Sequence, residues 1–227
     1  MPRAGGRPPA GVPRQRLFQV RPQAYRGVAY RVIGARFLAS PLVSAGSRLR
    51  GGRFNPAGEF EVLYAALAVD TAFAERDGLL LTAAGIKAAA LVRTGVLLTL
   101  RCRLAAVLDL TDERVRARLG VSLGGVVGSW VAWSSAASSP APSQTIGRSV
   151  HASRRFEGIL YPSTKDAGGR CLAVFPDRLR TTSRIAVADP DGVIRAALGL
   201  APGESTSRRS PRAGSRRRGT LPADRRR

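Results

Sequence analysis

The chain has 227 residues, 44% of them hydrophobic, and a formal net charge of +22. This length can bury one good core but is short for two domains. Arginine and lysine side chains interrupt the most hydrophobic stretch, residues 79–110, and exclude the run of about 20 apolar residues that a transmembrane helix needs. The N-terminus lacks the apolar segment of a secretory signal, so we expect a cytoplasmic protein that does not enter a membrane.

The positive charge is concentrated at the two ends of the chain. Residues 204–227 contain nine arginines against two carboxylates, and four more arginines precede Phe18. Both ends consist mainly of Pro, Gly, Ser and Arg, so we expect residues 1–17 and 203–227 to be disordered. One domain is expected over residues 18–202. Its remaining positive charge suits an anionic ligand or partner, such as a phosphate, a nucleic acid or an acidic protein.

The residues that most often bind metals or form disulfides are few and scattered. Cys102 and Cys171 stand alone, and His151 is the single histidine. A zinc site or a disulfide framework requires closely spaced or paired cysteines, so we expect two buried thiols and no metal. We interpret His151 as a structural residue.

In chain order, the pattern of apolar residues predicts mixed helices and strands, an α+β fold. Helices are expected at 70–81, with Asp70 as N-cap, and at 111–119, where the TDE sequence is a good start signal. The segment 120–144 is rich in Gly, Ser and Ala, and we interpret it as a mobile loop near the site. Strands are expected at residues 24–33, 61–65, 96–100, 106–110, 158–161 and 171–175.

Residues 47–75 combine two glycine turns, a strand and a helix. Gly51 and Gly52 allow a ligand to approach the backbone closely, and the guanidinium of Arg53 suits a phosphate. Glu75 lies about one turn into the predicted helix, where it can point back toward the strand that carries Tyr64. Each signal also has a structural explanation, because such an arginine is often solvated and such a glutamate often complements the helix dipole.

Five segments recur in a characteristic order: Tyr25-Arg26, GGRFNPAG at 51–58, LYAA at 63–66, TAFAE at 71–75 and EGILYPSTKDAGGRCLAVF at 157–175. In order and spacing they resemble the RES domain family, which is named for its arginine, glutamate and serine. The joint occurrence of these segments is far more specific than any one of them. Phe54 stands where the family more often has Trp, and a match of Gln144-Thr145 to a further family segment is left open.

The resemblance implies a fold similar to that of the ADP-ribosyltransferases. Several members of the family are toxins of toxin–antitoxin pairs that deplete NAD by hydrolysis or phosphorolysis. An NAD glycohydrolase or phosphorylase that arrests growth is therefore implied, with NAD as substrate, inorganic phosphate as a candidate second substrate, and no cofactor. The resemblance also implies a cognate antitoxin protein with a DNA-binding domain. The oligomeric state, a homo-oligomer included, is left open.

Carried over by motif, the resemblance implies that the NAD pocket is lined by Arg26, Arg53, Tyr64, Glu75 and Ser163. Breaking the bond from ribose to nicotinamide leaves the sugar cationic, so Glu75 is expected to stabilise it through a ribose hydroxyl. Arg26 and Arg53 would hold the pyrophosphate, and Tyr64 would stack on the substrate. Ser163 would hydrogen-bond the substrate, because no arrangement of acid, histidine and serine is evident. Glu75, Arg53 and Ser163 are thus the expected catalytic residues.

Two other functions fit the sequence. The same pocket can transfer ADP-ribose to a protein target, which would make the chain an ADP-ribosyltransferase. A non-enzymatic basic protein that binds nucleic acid would use the +22 charge, although the sequence shows no helix-turn-helix, zinc-finger, RNP or KH signature. In that case we expect the affinity to reside in residues 204–227.

Overall fold

The computed structural model describes residues 11–84, 95–136 and 139–199. Its helices are α1 (Arg14–Gln19), α2 (Ala45–Arg50), α3 (Val69–Ala84), α4 (Glu113–Leu119), α5 (Leu123–Val127), α6 (Trp130–Ala136) and α7 (Pro142–Ser153). Its strands are β1 (Gln23–Ile33), β2 (Leu63–Ala66), β3 (Val96–Asp109), β4 (Gly158–Pro162), β5 (Arg170–Val174), β6 (Arg184–Val187) and β7 (Ala197–Leu198). No helix in these ranges is long and apolar enough to cross a membrane.

The strands form one sheet in the order β1-β2-β5-β4-β3-β6-β7. Because β1 also pairs with β3, the first five strands of that order close into a ring, and β6 and β7 extend it from β3. Strands β3 and β4 run parallel, while the other pairs are antiparallel. The expected α+β class is therefore confirmed.

Side chains alternate between two hydrophobic cores on the two faces of the sheet. The inner core fills the space between the strands, with Leu63, Leu100 and Leu172 among its members. The outer core lies between β2, β4 and β5 and the helices that cover them, with Ile159 and Ile146 among its members. Burying each such side chain contributes roughly 1.5–3 kcal/mol, so these alternating positions fix the register of the strands.

Most predicted elements are confirmed, with boundaries shifted by a few residues, but three predictions are wrong. The two strands expected at 96–100 and 106–110 are the single strand β3. Asp70 is not an N-cap, because α3 begins at Val69 and places it in the first turn. The segment 120–144 is not a loop: it holds α5, α6 and the start of α7, with the Ser122 hydroxyl accepting a hydrogen bond from Gly125 N to begin α5.

The expected domain boundary at residue 18 falls inside a helix. α1 begins at Arg14, and Val12 and Leu17 are buried in the outer core, so residues 11–17 are part of the folded domain. These two apolar side chains pack into the core, although the sequence around them consists mainly of Pro, Gly and Arg and therefore suggested disorder. The structure does not describe residues 1–10 and 200–227. The rest of the two ends that were predicted to be disordered therefore lies outside the described residues.

Candidate functional site

The two glycines of the GGRFN segment support a tight loop. Gly51 has a φ of 73°, and Gly52 N donates to the carbonyl of Asn55 at 2.8 Å. A side chain at Gly52 would place its Cβ 2.7 Å from the Tyr64 hydroxyl and 2.8 Å from Asn55 Oδ1. The backbone at Gly52 thus approaches the protein's own side chains closely, and the predicted approach of a ligand at this turn stays a prediction.

Tyr64 holds this loop through its hydroxyl group. The hydroxyl donates to Asn55 Oδ1 at 2.8 Å and accepts from Phe54 N at 2.9 Å. Burial raises the pKa of Tyr64 far above its usual value, so the group stays protonated and able to donate. Asn55 in turn donates to the carbonyls of Ser47 at 2.7 Å and Phe60 at 3.1 Å. The Tyr64 hydroxyl therefore both donates and accepts within the protein, and the predicted stacking of its ring on a substrate stays a prediction.

Arg53 joins this loop to two other parts of the chain. Its side chain is nearly enclosed, with the residue only 9% exposed. Nη1 donates to the carbonyls of Val126 and Gly128, both at 2.9 Å, at the end of α5. Nη2 donates to Thr164 Oγ1 at 3.1 Å, in the turn that follows β4. Most of the guanidinium fork is thus engaged with the protein, which leaves less of it for the pyrophosphate than the sequence suggested.

Glu75 extends from α3 to the same turn after β4. Its Oε1 accepts hydrogen bonds from the Ser163 hydroxyl at 2.6 Å and from Thr164 N at 3.0 Å. Its Oε2 accepts no hydrogen bond from the residues that the structure describes. Because Thr164 bonds to both Glu75 and Arg53, the predicted glutamate and arginine belong to one site, although they are 22 positions apart in the sequence.

Ser163 supports Glu75 and the turn around it. Besides donating to Glu75, its hydroxyl accepts from Lys165 N and Asp166 N, both at 3.1 Å. Asp166 then accepts a hydrogen bond from Thr71 in the first turn of α3. The donor and acceptor positions of Ser163 are all occupied, so the geometry makes it a residue that positions Glu75, whereas the sequence suggested direct contact with substrate.

Arg26 is the one predicted site residue that this network does not include. It is exposed on β1, where it pairs in register with Arg103 of β3. Its side chain forms no hydrogen bond or ion pair with any residue that the structure describes. Its predicted contact with the pyrophosphate stays a prediction.

Three residues that support the site were missed or left open from sequence. Thr164 and Asn55 act through the contacts described above, and their neighbours in YPST and GGRFN were the only signal for them. Gln144 of α7 donates through Nε2 to the carbonyls of Gly52 at 3.1 Å and Asn55 at 3.4 Å. Gln144 therefore anchors the GGRFN loop to α7.

Behind the site, Tyr161 and Cys171 are buried among apolar side chains. Burial, strengthened by the nearby Cys171, Tyr64 and Glu75, raises the pKa of Tyr161 well above its usual value. The ring of Tyr161 meets that of Phe54 edge-on at 4.8 Å between centroids. Both groups are neutral at physiological pH, and the wall behind Glu75 is therefore apolar and uncharged. Within the described residues, no three His, Cys, Asp or Glu side chains come close enough to hold a metal.

Both cysteines are buried free thiols, as the sequence predicted. Burial raises the pKa of Cys102 and of Cys171 to about 12 in each case, so almost no thiolate exists near the ordinary thiol pKa of about 8.5. We expect the native protein to react very slowly with a disulfide reagent at that pH. The same reagent should titrate two thiols per chain in guanidinium chloride. Fast labelling of the native protein would contradict the burial of the thiols.

The fold and this hydrogen-bonded cluster define a single α+β domain organised around a glutamate, an arginine and a serine. The RES domain model matches residues 28–195, and the chain therefore belongs to the RES domain family. A chain in the crystal structure of the M. tuberculosis MbcT-MbcA toxin-antitoxin complex is similar, with a TM-score of 0.61 and 25% identity. The similarity covers 82% of this chain and 91% of that one. The search of curated proteins found no match.

Proposed function

We propose that the chain is a toxin enzyme that cleaves the bond between nicotinamide and ribose in NAD. The observation that carries the proposal is the Glu75 carboxylate, whose Oε1 is fixed by Ser163 and Thr164 while Oε2 has no hydrogen-bond partner among the described residues. A carboxylate held in this way suits a reaction that places positive charge on a sugar. Membership of the RES family supports NAD as the substrate, and a fold similar to the ADP-ribosyltransferases is part of the same proposal.

In the proposed reaction the bond from C1′ to the nicotinamide nitrogen breaks, and its electron pair leaves with nicotinamide, which departs neutral. The ribose becomes cationic, and Glu75 Oε2 accepts a hydrogen bond from a ribose hydroxyl that strengthens as this charge grows. Water then bonds to C1′ and releases a proton, or inorganic phosphate bonds there instead. Little acid catalysis is needed, because the leaving group carries no charge.

The structure favours a positioning role for Arg53. Its bonds to Val126, Gly128 and Thr164 fix the turn that holds Glu75 Oε1. Contacts of Arg26 with the pyrophosphate and of the Tyr64 ring with the substrate are part of the proposal.

A toxin that consumes NAD would be lethal to its own host, so we propose a cognate antitoxin as partner. The similarity to a chain of a toxin-antitoxin complex supports this part of the proposal. A DNA-binding domain in the antitoxin is a further prediction from the family resemblance.

The test is to incubate purified protein with NAD and to measure nicotinamide by chromatography, with and without inorganic phosphate. We expect nicotinamide to accumulate in proportion to protein concentration. A second product with phosphate attached to ribose would identify phosphorolysis. With NAD labelled in the adenosine half, label that stays on protein would identify ADP-ribosyl transfer to a protein instead. No loss of NAD in either buffer would overturn the proposal.

A further inference from the structure

A row of arginines crosses the outer face of the sheet where β3 and β6 lie side by side. Arg103 and Arg184 are register partners, and Arg101 stands two residues before Arg103 on the same face of β3. The residues between them, Cys102 and Ile185, belong to the inner core. The alternation along each strand therefore directs the three guanidinium groups, called here the arginine ladder, outward. Arg26 continues the row onto β1.

The charge of the arginine ladder is not neutralised within the described part of the chain. Arg101 and Arg184 form no hydrogen bond or ion pair there, and Arg103 donates only to the carbonyl of Thr182, at 3.1 Å. The groove along the ladder has a volume of about 550 Å³, and no carboxylate is among its lining residues. Thr181 and Thr182 add hydroxyl groups at its edge. Several cations so close together repel one another, and a bound anion removes that repulsion.

We propose that the arginine ladder binds the phosphate backbone of duplex nucleic acid. Neighbouring strands lie about 4.8 Å apart and alternate residues about 6.8 Å apart, so with Arg26 the row spans roughly 10 Å. One strand of duplex DNA advances about 3.4 Å per phosphate, so a face of this size meets about three successive phosphates. Guanidinium and hydroxyl groups are the side chains that most often contact phosphate oxygens.

The residues that line the groove favour duplex nucleic acid over two other kinds of ligand, a single strand and a protein. Proteins that bind single strands present aromatic rings on which bases stack, and no aromatic residue lines the groove. Protein interfaces rely on buried aromatic or aliphatic anchors, and the lining of the groove is otherwise polar apart from two small residues, Cys102 and Ala186. An acidic protein would find charge complementarity here but no anchor. The proposal does not depend on the NAD reaction, and it assigns affinity to the folded domain rather than to residues 204–227.

The test measures fluorescence anisotropy of a labelled DNA duplex of random sequence with the full chain at several salt concentrations. The Arg101→Ala/Arg184→Ala double variant removes two unpaired cations from the ladder and leaves Arg26 intact. The Arg114→Ala/Arg118→Ala variant removes the same charge from the exposed surface of α4 and serves as the control. We expect the ladder variant to bind roughly 10-fold more weakly per arginine near 0.1 M salt, and its salt slope to fall by about 2. Urea unfolding verifies that both variants are folded.

Three outcomes would overturn the proposal. The first is equal loss of affinity in the ladder and control variants, which would show that only net charge matters. The second is tighter binding of a single strand than of the duplex. The third is displacement of the duplex by poly-glutamate at an equal concentration of charge, which would identify the ladder as a surface for acidic protein. None of these readouts uses NAD, so failure here and failure of the proposed enzyme activity are separate results.

Discussion

Replacing Glu75 with glutamine should lower the rate of nicotinamide release from NAD by about 1000-fold. The amide oxygen can still accept from the Ser163 hydroxyl and from Thr164 N, so the turn after β4 keeps its support. The position of Oε2 is then taken by an NH₂ group, which carries no negative charge and cannot accept from a ribose hydroxyl. The loss should appear mainly in kcat, because the contact strengthens in the transition state.

The matched control for this prediction is Glu113→Gln, which changes an exposed glutamate in the first turn of α4. We expect its activity to stay within about twofold of the unchanged protein, since surface substitutions outside special features have small effects. The two variants should have the same unfolding midpoint in urea. Full activity in the Glu75→Gln variant would remove Glu75 from the reaction and with it the main support for the proposed mechanism.

Replacing Glu157 with alanine should destabilise the fold by about 4 kcal/mol. β3 contains a bulge where its pairing with β1 shifts register, and Glu157 Oε2 accepts from the freed Ala105 N at 2.7 Å and Ala106 N at 2.8 Å. Its Oε1 accepts from Arg180 N at 2.5 Å. Glu157 is only 1% exposed, so alanine leaves Ala106 N and Arg180 N without partners in a site that water does not reach readily. Ala105 N keeps a second acceptor, the Ser183 hydroxyl at 3.1 Å.

Urea unfolding followed by tryptophan fluorescence measures this effect. Glu157→Gln is the informative second variant, because its amide oxygen can still serve Ala105 and Ala106 while its NH₂ group faces Arg180 N. We expect it to lose less stability than the alanine variant. Glu113→Ala, on the surface, should cost less than about 1 kcal/mol. Equal and small losses in all three variants would mean that the bulge does not depend on this carboxylate.

The fold was predictable where side chains alternate or recur at helical spacing, as in β1 and α3. β3 was read as two strands because Arg101 and Arg103 were taken as an interruption. In the structure these arginines are simply the outward half of the alternation, with Leu100, Cys102 and Leu104 as the inward half. The helices in 120–144 were missed because Gly, Ser and Ala give no apolar period, and the packing of Val126 against α7 supplies what the local sequence does not.

The candidate site was predictable as a set of residues but not as a set of roles. Motifs predicted Arg53, Glu75 and Ser163, and the structure joins them. What each one touches depends on parts of the chain far away in sequence, such as Val126 and Thr164 around Arg53. No local sequence pattern indicates which residues form hydrogen bonds with the guanidinium and the serine hydroxyl in the folded protein.

The place of β5 in the sheet has a consequence for protein synthesis. β5 lies between β2 and β4, so the ring of strands cannot close until Arg170–Val174 have been made. The turn that holds the Glu75 carboxylate lies between β4 and β5, and it is fixed only when these two pair. A nascent chain that stalls earlier on the ribosome therefore has no assembled candidate site. Under the proposed function, a cell that makes this protein is exposed to its activity only through copies whose synthesis has passed β5.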